Sequence, residues 1–158
     1  MELEIRQYRD GDYPEVWHLH NLALELTGAH GGNGPWDDDL HHIKQVYLDK
    51  DGEFLVGLHN GRILAMGAFR QTGEDEAEIK RMRVQPEYQG QGLGRQILAK
   101  LEERAREMGY KRLHLETSET QIPAQKLYTR HGFIEFKRGR VLTFNCIYYE
   151  KYLTESKA

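Results

Sequence analysis

Between positions 82 and 95 the chain reads Met82-Arg83-Val84-Gln85-Pro86-Glu87-Tyr88-Gln89-Gly90-Gln91-Gly92-Leu93-Gly94-Arg95. No other stretch restricts its fold so strongly. Before it, Ala77 to Val84 alternates in the manner of a strand, which places Glu78, Lys80 and Met82 on one face. After it, Leu93, Ile97, Leu98, Leu101, Ala105 and Met108 recur at helical spacing, and Gly109 stands where a helix stops. A strand therefore runs into a glycine-punctuated turn that opens a helix. Three glycines at alternate positions let a ligand approach the backbone and its N–H groups. The helix start adds unpaired donors and a partial positive charge, so the turn is built for a phosphate or diphosphate.

Two common phosphate-binding patterns fail here. A dinucleotide fingerprint counted from Gly90 would need glycine where Arg95 stands, and a P-loop would need Lys then Ser or Thr after Gly94, where Arg95 and Gln96 stand. What the stretch contains is Gln-x-x-Gly-x-Gly, made of Gln89, Gly92 and Gly94. A second motif follows beyond the next strand, Leu113-His114-Leu115-Glu116: Ala124-x-x-Leu127-Tyr128-x-x-x-Gly132-Phe133. With both motifs in this order, each in its strand-and-helix setting, the chain resembles the GNAT family of acetyl-coenzyme A-dependent N-acetyltransferases. The resemblance runs from about Glu53 to Tyr149. It implies an α/β fold of the mixed α+β kind, with about seven mostly antiparallel strands, four helices and a splayed central strand pair.

The rest of the chain is read from its own residues. Leu3 to Tyr8 alternates as a first strand. Asp12 reads as an N-cap with Glu15 three residues on, a capping box with Pro14 in the first turn. Val16, Leu19, Leu22, Ala23 and Leu26 line one face of the helix that follows, which ends near Thr27-Gly28. Asp37 to Tyr47 reads as a second, shorter helix with Leu40, Ile43, Val46 and Tyr47 inward. Glu53–His59 and Arg62–Arg70 form a hairpin around Asn60-Gly61. Pro123 opens a helix closed by Gly132, and Phe133–Arg138 and Val141–Tyr152 are the last two strands.

At 158 residues, with no repeat or linker, the expectation is one domain spanning 1–158. Charged residues at 30% suit a soluble protein, and no apolar run is long enough for a membrane span. A formal charge of −3 gives no basic footprint for nucleic acid. The single cysteine, Cys146, reads as a packing residue, and together with a charged N-terminus it points to the cytoplasm. A homodimer is the default assembly.

The resemblance implies acetyl-CoA as co-substrate and assigns roles. Backbone N–H groups of Met82 and Val84 would hold the pantetheine arm and polarise the acetyl carbonyl, with Arg83 between them also in the coenzyme-binding set, and those of Gln89, Gly90, Gln91, Gly92, Leu93, Gly94 and Arg95 would hold the diphosphate. Ala124 and Gln121 border the arm, Gln121 standing where the family often has Asn. Tyr128 is the candidate general acid. Glu78 and Glu116 are the candidate general bases, with His114 a third. His30, His41 and His42 with Asp37, Asp38 and Asp39 are not read as a metal site, because adjacent histidines diverge by about 100° on a helix. Gly31 to Trp36 with the aspartate run instead suits a cationic amine. The expected reaction is direct acetyl transfer to a primary amine of a small molecule, or a peptide amine. The alternatives are a coenzyme A-binding regulatory module without catalysis, or an acyltransferase with another acyl-CoA.

Overall fold

The computed structural model describes residues 1–27 and 32–153. Seven strands form one sheet: β1 (Glu4–Gln7), β2 (Glu53–His59), β3 (Arg62–Gly73), β4 (Glu76–Val84), β5 (Arg112–Ser118), β6 (Ile134–Val141) and β7 (Phe144–Tyr152). Their spatial order is β1-β2-β3-β4-β5-β7-β6. Every neighbouring pair is antiparallel except β4–β5. Among the described residues three α-helices cover it: α1 (Tyr13–Thr27), α2 (Leu93–Glu107) and α3 (Ile122–Arg130). Among the described residues no helix is long and apolar enough to cross a membrane.

The sheet separates two cores. On one face, Ile97, Leu98 and Leu101 of α2 pack on Ala65, Phe69, Ile79 and Leu113, and α3 adds Leu127 and Tyr128. On the other, Val16 and Leu19 of α1, with Leu40, Ile43 and Tyr47, pack on Phe54, Val56, Met66 and Ala68. The β2–β3 hairpin turns at Asn60 (φ 51°) and Gly61 (φ 77°), two left-handed residues as its dipeptide predicts.

Several expectations are corrected. The helix expected over Asp37–Tyr47 is instead a 3-10 turn at Pro35–His41 and a π turn at Lys44–Leu48, parted by His42 with ψ 44°. Leu40, Ile43 and Tyr47 still face inward, because the core needs their bulk and not a regular helix. The fourth helix is thus replaced by short turns. The capping box expected of Asp12 and Glu15 does not form either, Asp12 standing instead three residues after its backbone partner Arg9. Asp12 accepts from the Arg9 N–H and from Arg6, while Glu15 accepts from the Ile63 N–H of β3. Val141 ends β6, since the chain reverses at Leu142 (φ 55°). The expected end of α1 at Gly28 lies outside the described residues.

The most consequential correction lies in β4. Ala68 pairs with Lys80 and Met66 with Arg83, so β4 carries one extra residue there. Arg81, at φ 61°, is that bulge. Alternation restarts after it with the faces exchanged. Glu78, Lys80 and Arg83 share the face of Met66 and Ala68, and Met82 goes to the α2 face. Glu78, Lys80 and Met82 therefore do not share a face.

A left-handed arginine is costly, and this one is held by its side chain. Arg81 grips Asp39 through two hydrogen bonds, Nε to Oδ2 at 2.9 Å and Nη2 to Oδ1 at 2.5 Å. It also donates to the Trp36 carbonyl at 2.7 Å. Tyr47 donates to the same carboxylate, and Asp37 lies 3.8 Å from Arg81 Nη1. The bulge is thereby tied to the 35–41 segment, one guanidinium spanning strand and turn. Burial works against charge on Asp39, but the bonds and attraction of Arg81, helped by Tyr47, outweigh it and hold this carboxyl below its usual range.

Arg81→Leu should cost about 3–5 kcal/mol in urea unfolding, because it leaves Asp39 buried without its cation. The folded pKa of Asp39 is depressed, so its contribution is fully present above the unfolded value of about 3.9 and is lost as pH falls through the folded one. The deficit of Asp39→Asn relative to wild type should accordingly be constant near neutrality and shrink below about pH 4.

Candidate active site

Pairing between β4 and β5 stops at Glu78 and His114. Beyond that pair, Ile79–Val84 and Leu115–Ser118 diverge, and β5 continues on β7 alone. The strand edge this exposes is the floor of the site, as the expected splay requires.

A cavity of about 710 Å³ runs from the divergence to the start of α2. It is lined by Met82, Arg83, Val84, Gln89, Gly90, Gly92, Leu93, Gly94, Arg95, Gln121, Ala124 and Tyr128. The expected coenzyme-binding residues are thus together, Gln91 alone not reaching the lining. Gly92 caps α2 at φ 80°, a conformation that disfavours a side chain. A Cβ on Gly94 would come within 3.2 Å of Leu127, so a bare backbone here brings α2 against α3. The first-turn N–H groups of α2 open onto this cavity, with Arg95 folded back over Gly92. Lys126 and Arg130 of α3 also line it. Sequence reasoning passed over this pair, although their i, i+4 spacing on the helix of the second motif signals a shared face.

A second cavity, of about 290 Å³, lies between the diverging strands and under the β6–β7 turn. Glu78, Glu116, Lys80, Arg81, Trp36, Leu142 and Cys146 line it. Met82, Arg83, Gln121, Ala124 and Tyr128 line both cavities, so this is where their contents can meet.

Tyr128 is the most enclosed group at that junction, 5% exposed, with its ring edge-on to Phe133 at 5.7 Å. Burial pushes its phenol well above the usual value, and the nearby Arg83 charge opposes this only in part. It therefore holds its proton at neutral pH, as a proton donor must. Arg83 is pushed down to about 10, first by burial and then by the Arg81 charge. Glu78 is half-buried at the last β4–β5 pair, and Glu116 is exposed two residues beyond His114. Glu116 faces Tyr148 across β5–β7, and its neighbouring carboxylate raises the pKa of that phenol. His114 contacts Thr72 Oγ1 at 2.8 Å, and burial lowers its pKa. Gln121 spends its carbonyl on Thr117 Oγ1 and the Ser118 N–H, bracing the loop from β5 to α3. Cys146 is buried beside Phe144, and burial raises its thiol pKa.

The aspartate run is organised differently from the amine cradle expected of it. Asp39 is held by Arg81 and Tyr47, and Asp37 is buried 3.0 Å from His20 Nε2. Asp38 is exposed, and among the described residues of this stretch only Trp36 lines the small cavity. His41 contacts the Tyr13 hydroxyl, and His42 the Asp38 carbonyl. His30 and Gly31 lie outside the described residues. No local pattern announces that Arg81 would take Asp39, because the contact joins residues 42 positions apart.

Comparison with known proteins agrees with this geometry. The model of the Acetyltransferase (GNAT) family matches residues 4–133. An IAA acetyltransferase of Azospirillum brasilense is 36% identical over 92 residues, 58% of this chain and 60% of the relative. The [ribosomal protein bS18]-alanine N-acetyltransferase of Escherichia coli K12 is 29% identical over 127 residues, 78% of this chain and 76% of that one. The structure of yncA, a putative acetyltransferase from Salmonella typhimurium with its cofactor acetyl-CoA, shares the fold at a TM-score of 0.79 and 21% identity, covering 100% of this chain and 98% of its own. The match to the Azospirillum relative spans less than two thirds of that protein's length. With the glycine turn, the diverging strands and Tyr128 in one site, the chain belongs to the GNAT acetyltransferase family.

Proposed function

We propose that this protein transfers the acetyl group of acetyl-CoA directly to an amine, most simply that of a small molecule. The observation that carries the reading is the junction of the two cavities at Met82, Arg83 and Tyr128. A diphosphate fits the larger cavity at the first turn of α2, where backbone donors and Arg95 supply positive potential. The pantetheine arm would then lie along the free edge of β4 and bring the thioester to the junction. The amine would enter from the smaller cavity. Donors fixed on β4 would stabilise the oxyanion as the carbon–nitrogen bond forms. Glu78 or Glu116, directly or through water, would take the ammonium proton, and Tyr128 would protonate the departing thiolate. Arrangement of all four tasks around one junction supports an enzyme over a passive coenzyme-binding module.

The relatives act on different acceptors by name, including IAA and a ribosomal protein. The small cavity, about 290 Å³, supports a compact acceptor. The lone buried Cys146 supports a reducing, cytoplasmic setting.

Thiol release with acetyl-CoA and an amine panel tests the reading. Tyr128→Phe should lower kcat by about 10²–10⁴-fold and leave coenzyme affinity within a few-fold of wild type. An unchanged kcat would remove Tyr128 from the proposed role. Glu78→Gln and Glu116→Gln, made singly, should separate the bases. Loss of the base lowers kcat/KM by about 10²–10⁴-fold and flattens its acidic limb, while the other change leaves that limb in place.

A further inference from the structure

Arg83 is the residue whose surroundings the proposed acetyl transfer leaves unexplained. Its Nη1 donates to the Met82 carbonyl at 2.8 Å. Its Nε is buried without a hydrogen-bond partner among the described residues. No described carboxylate lies within ion-pair distance of it. The closest acidic groups by their electrostatic effect, Asp37 and Asp39, are already engaged by His20, Arg81 and Tyr47. Arg83 as a whole is half-buried, but a guanidinium whose Nε is shielded from water without an acceptor, and whose charge faces no free anion among the described residues, is costly unless a ligand completes it.

Position argues for what completes it. The bulge at Arg81 turns Arg83 onto the face of Lys80 and Glu78, so its side chain reaches the small cavity as well as the large one. It stands beside Tyr128, at the junction, whereas the glycine turn that suits a diphosphate begins six residues later at Gln89. The walls of the small cavity are charged in both senses, with Lys80 and Arg83 on β4 and Glu78 and Glu116 at the divergence. Such a layout complements a molecule with a positive and a negative group, and disfavours a polycation.

We propose that Arg83 anchors a carboxylate of the acceptor, so that the substrate class is an amine that carries its own carboxylate, such as a free amino acid or a short peptide. The inference rests on the acetyl-transfer reading and names the acceptor class of that same site. Arg83 is thus a specificity residue: its planar fork fits a carboxylate through two donors, which a lysine ammonium does less well.

The test uses the full chain, acetyl-CoA, and matched acceptors: amino acids, their carboxamides, and the corresponding amines lacking the carboxylate. Wild type should favour the carboxylate-bearing member by about 10–100-fold in kcat/KM, the range for one charge-assisted contact. Arg83→Met should erase that preference, lowering kcat/KM for the acids by about 10–100-fold more than for the matched amides and simple amines. Arg83→Lys should retain part of it. The wild-type comparison stands even if a variant folds poorly. Equal use of acids and amides, preference for amines without a carboxylate, or an equal loss on every acceptor in Arg83→Met would overturn the assignment. So would coenzyme binding without turnover of any carboxylate-bearing amine. Calorimetric titration with acetyl-CoA separates the two levels: binding together with turnover of simple amines leaves acetyl transfer standing while the carboxylate anchor falls, and no binding removes the transfer reading itself.

Discussion

The separation of β4 from β5 beyond the Glu78–His114 pair is the constraint on which the rest of this molecule depends. Two parallel strands in a sheet would normally continue to exchange hydrogen bonds and leave no room between them. Here β4 takes an extra residue at Arg81 and keeps its partner on the other side, β3, while β5 follows β7. The edge groups so released line a cleft inside a sheet. A buried strand edge without partners is unfavourable unless something else bonds to it. That cost is what makes the cleft a place for an extended ligand, and both cavities border it.

The bulge does more than open the cleft. It decides which side chains enter it, sending Met82 toward α2 and Arg83 toward the small cavity. Asp39, Tyr47 and the Trp36 carbonyl bind Arg81 and so fasten the 35–41 segment to the strand. One ion pair therefore fixes the bulge and the wall of the small cavity together. Electrostatics then differ between the cavities: cations and helix-start donors dominate the large one, whereas charges of both signs share the small one. Tyr128, enclosed where they meet, remains a neutral phenol under these conditions because burial opposes its ionisation.

What could be read from the residues alone was whatever depends on near neighbours. The Asn60-Gly61 turn, the glycines of 90–94 and the periodicity of α2 each carry their reason within a few positions. The gathering of Met82–Val84 and the glycine turn around one cavity was legible for the same reason, since a strand, a turn and a helix start are contiguous. The face of Arg83 was not, because a bulge at a non-glycine residue leaves no mark in the alternation of Ala77 to Val84. Asp12 and Glu15 had the spacing of a capping box, yet Arg6 and the Ile63 N–H offered them better partners from other parts of the chain. The aspartate run likewise suggested an open acidic patch until Arg81 and His20 arrived from distant positions to take Asp39 and Asp37. The reading failed where a long-range ion pair overrode local pattern.

The central claim is that the glycine turn and the divergent edge of β4 hold one ligand between them. A crystal structure of the protein with acetyl-CoA tests it most directly. The account predicts the diphosphate against the backbone of Gln89–Arg95, the pantetheine arm along β4 beyond Glu78, and the sulfur within hydrogen-bond reach of the Tyr128 hydroxyl. Coenzyme bound elsewhere, or bound at the turn with its thioester pointing away from the cleft, would contradict it.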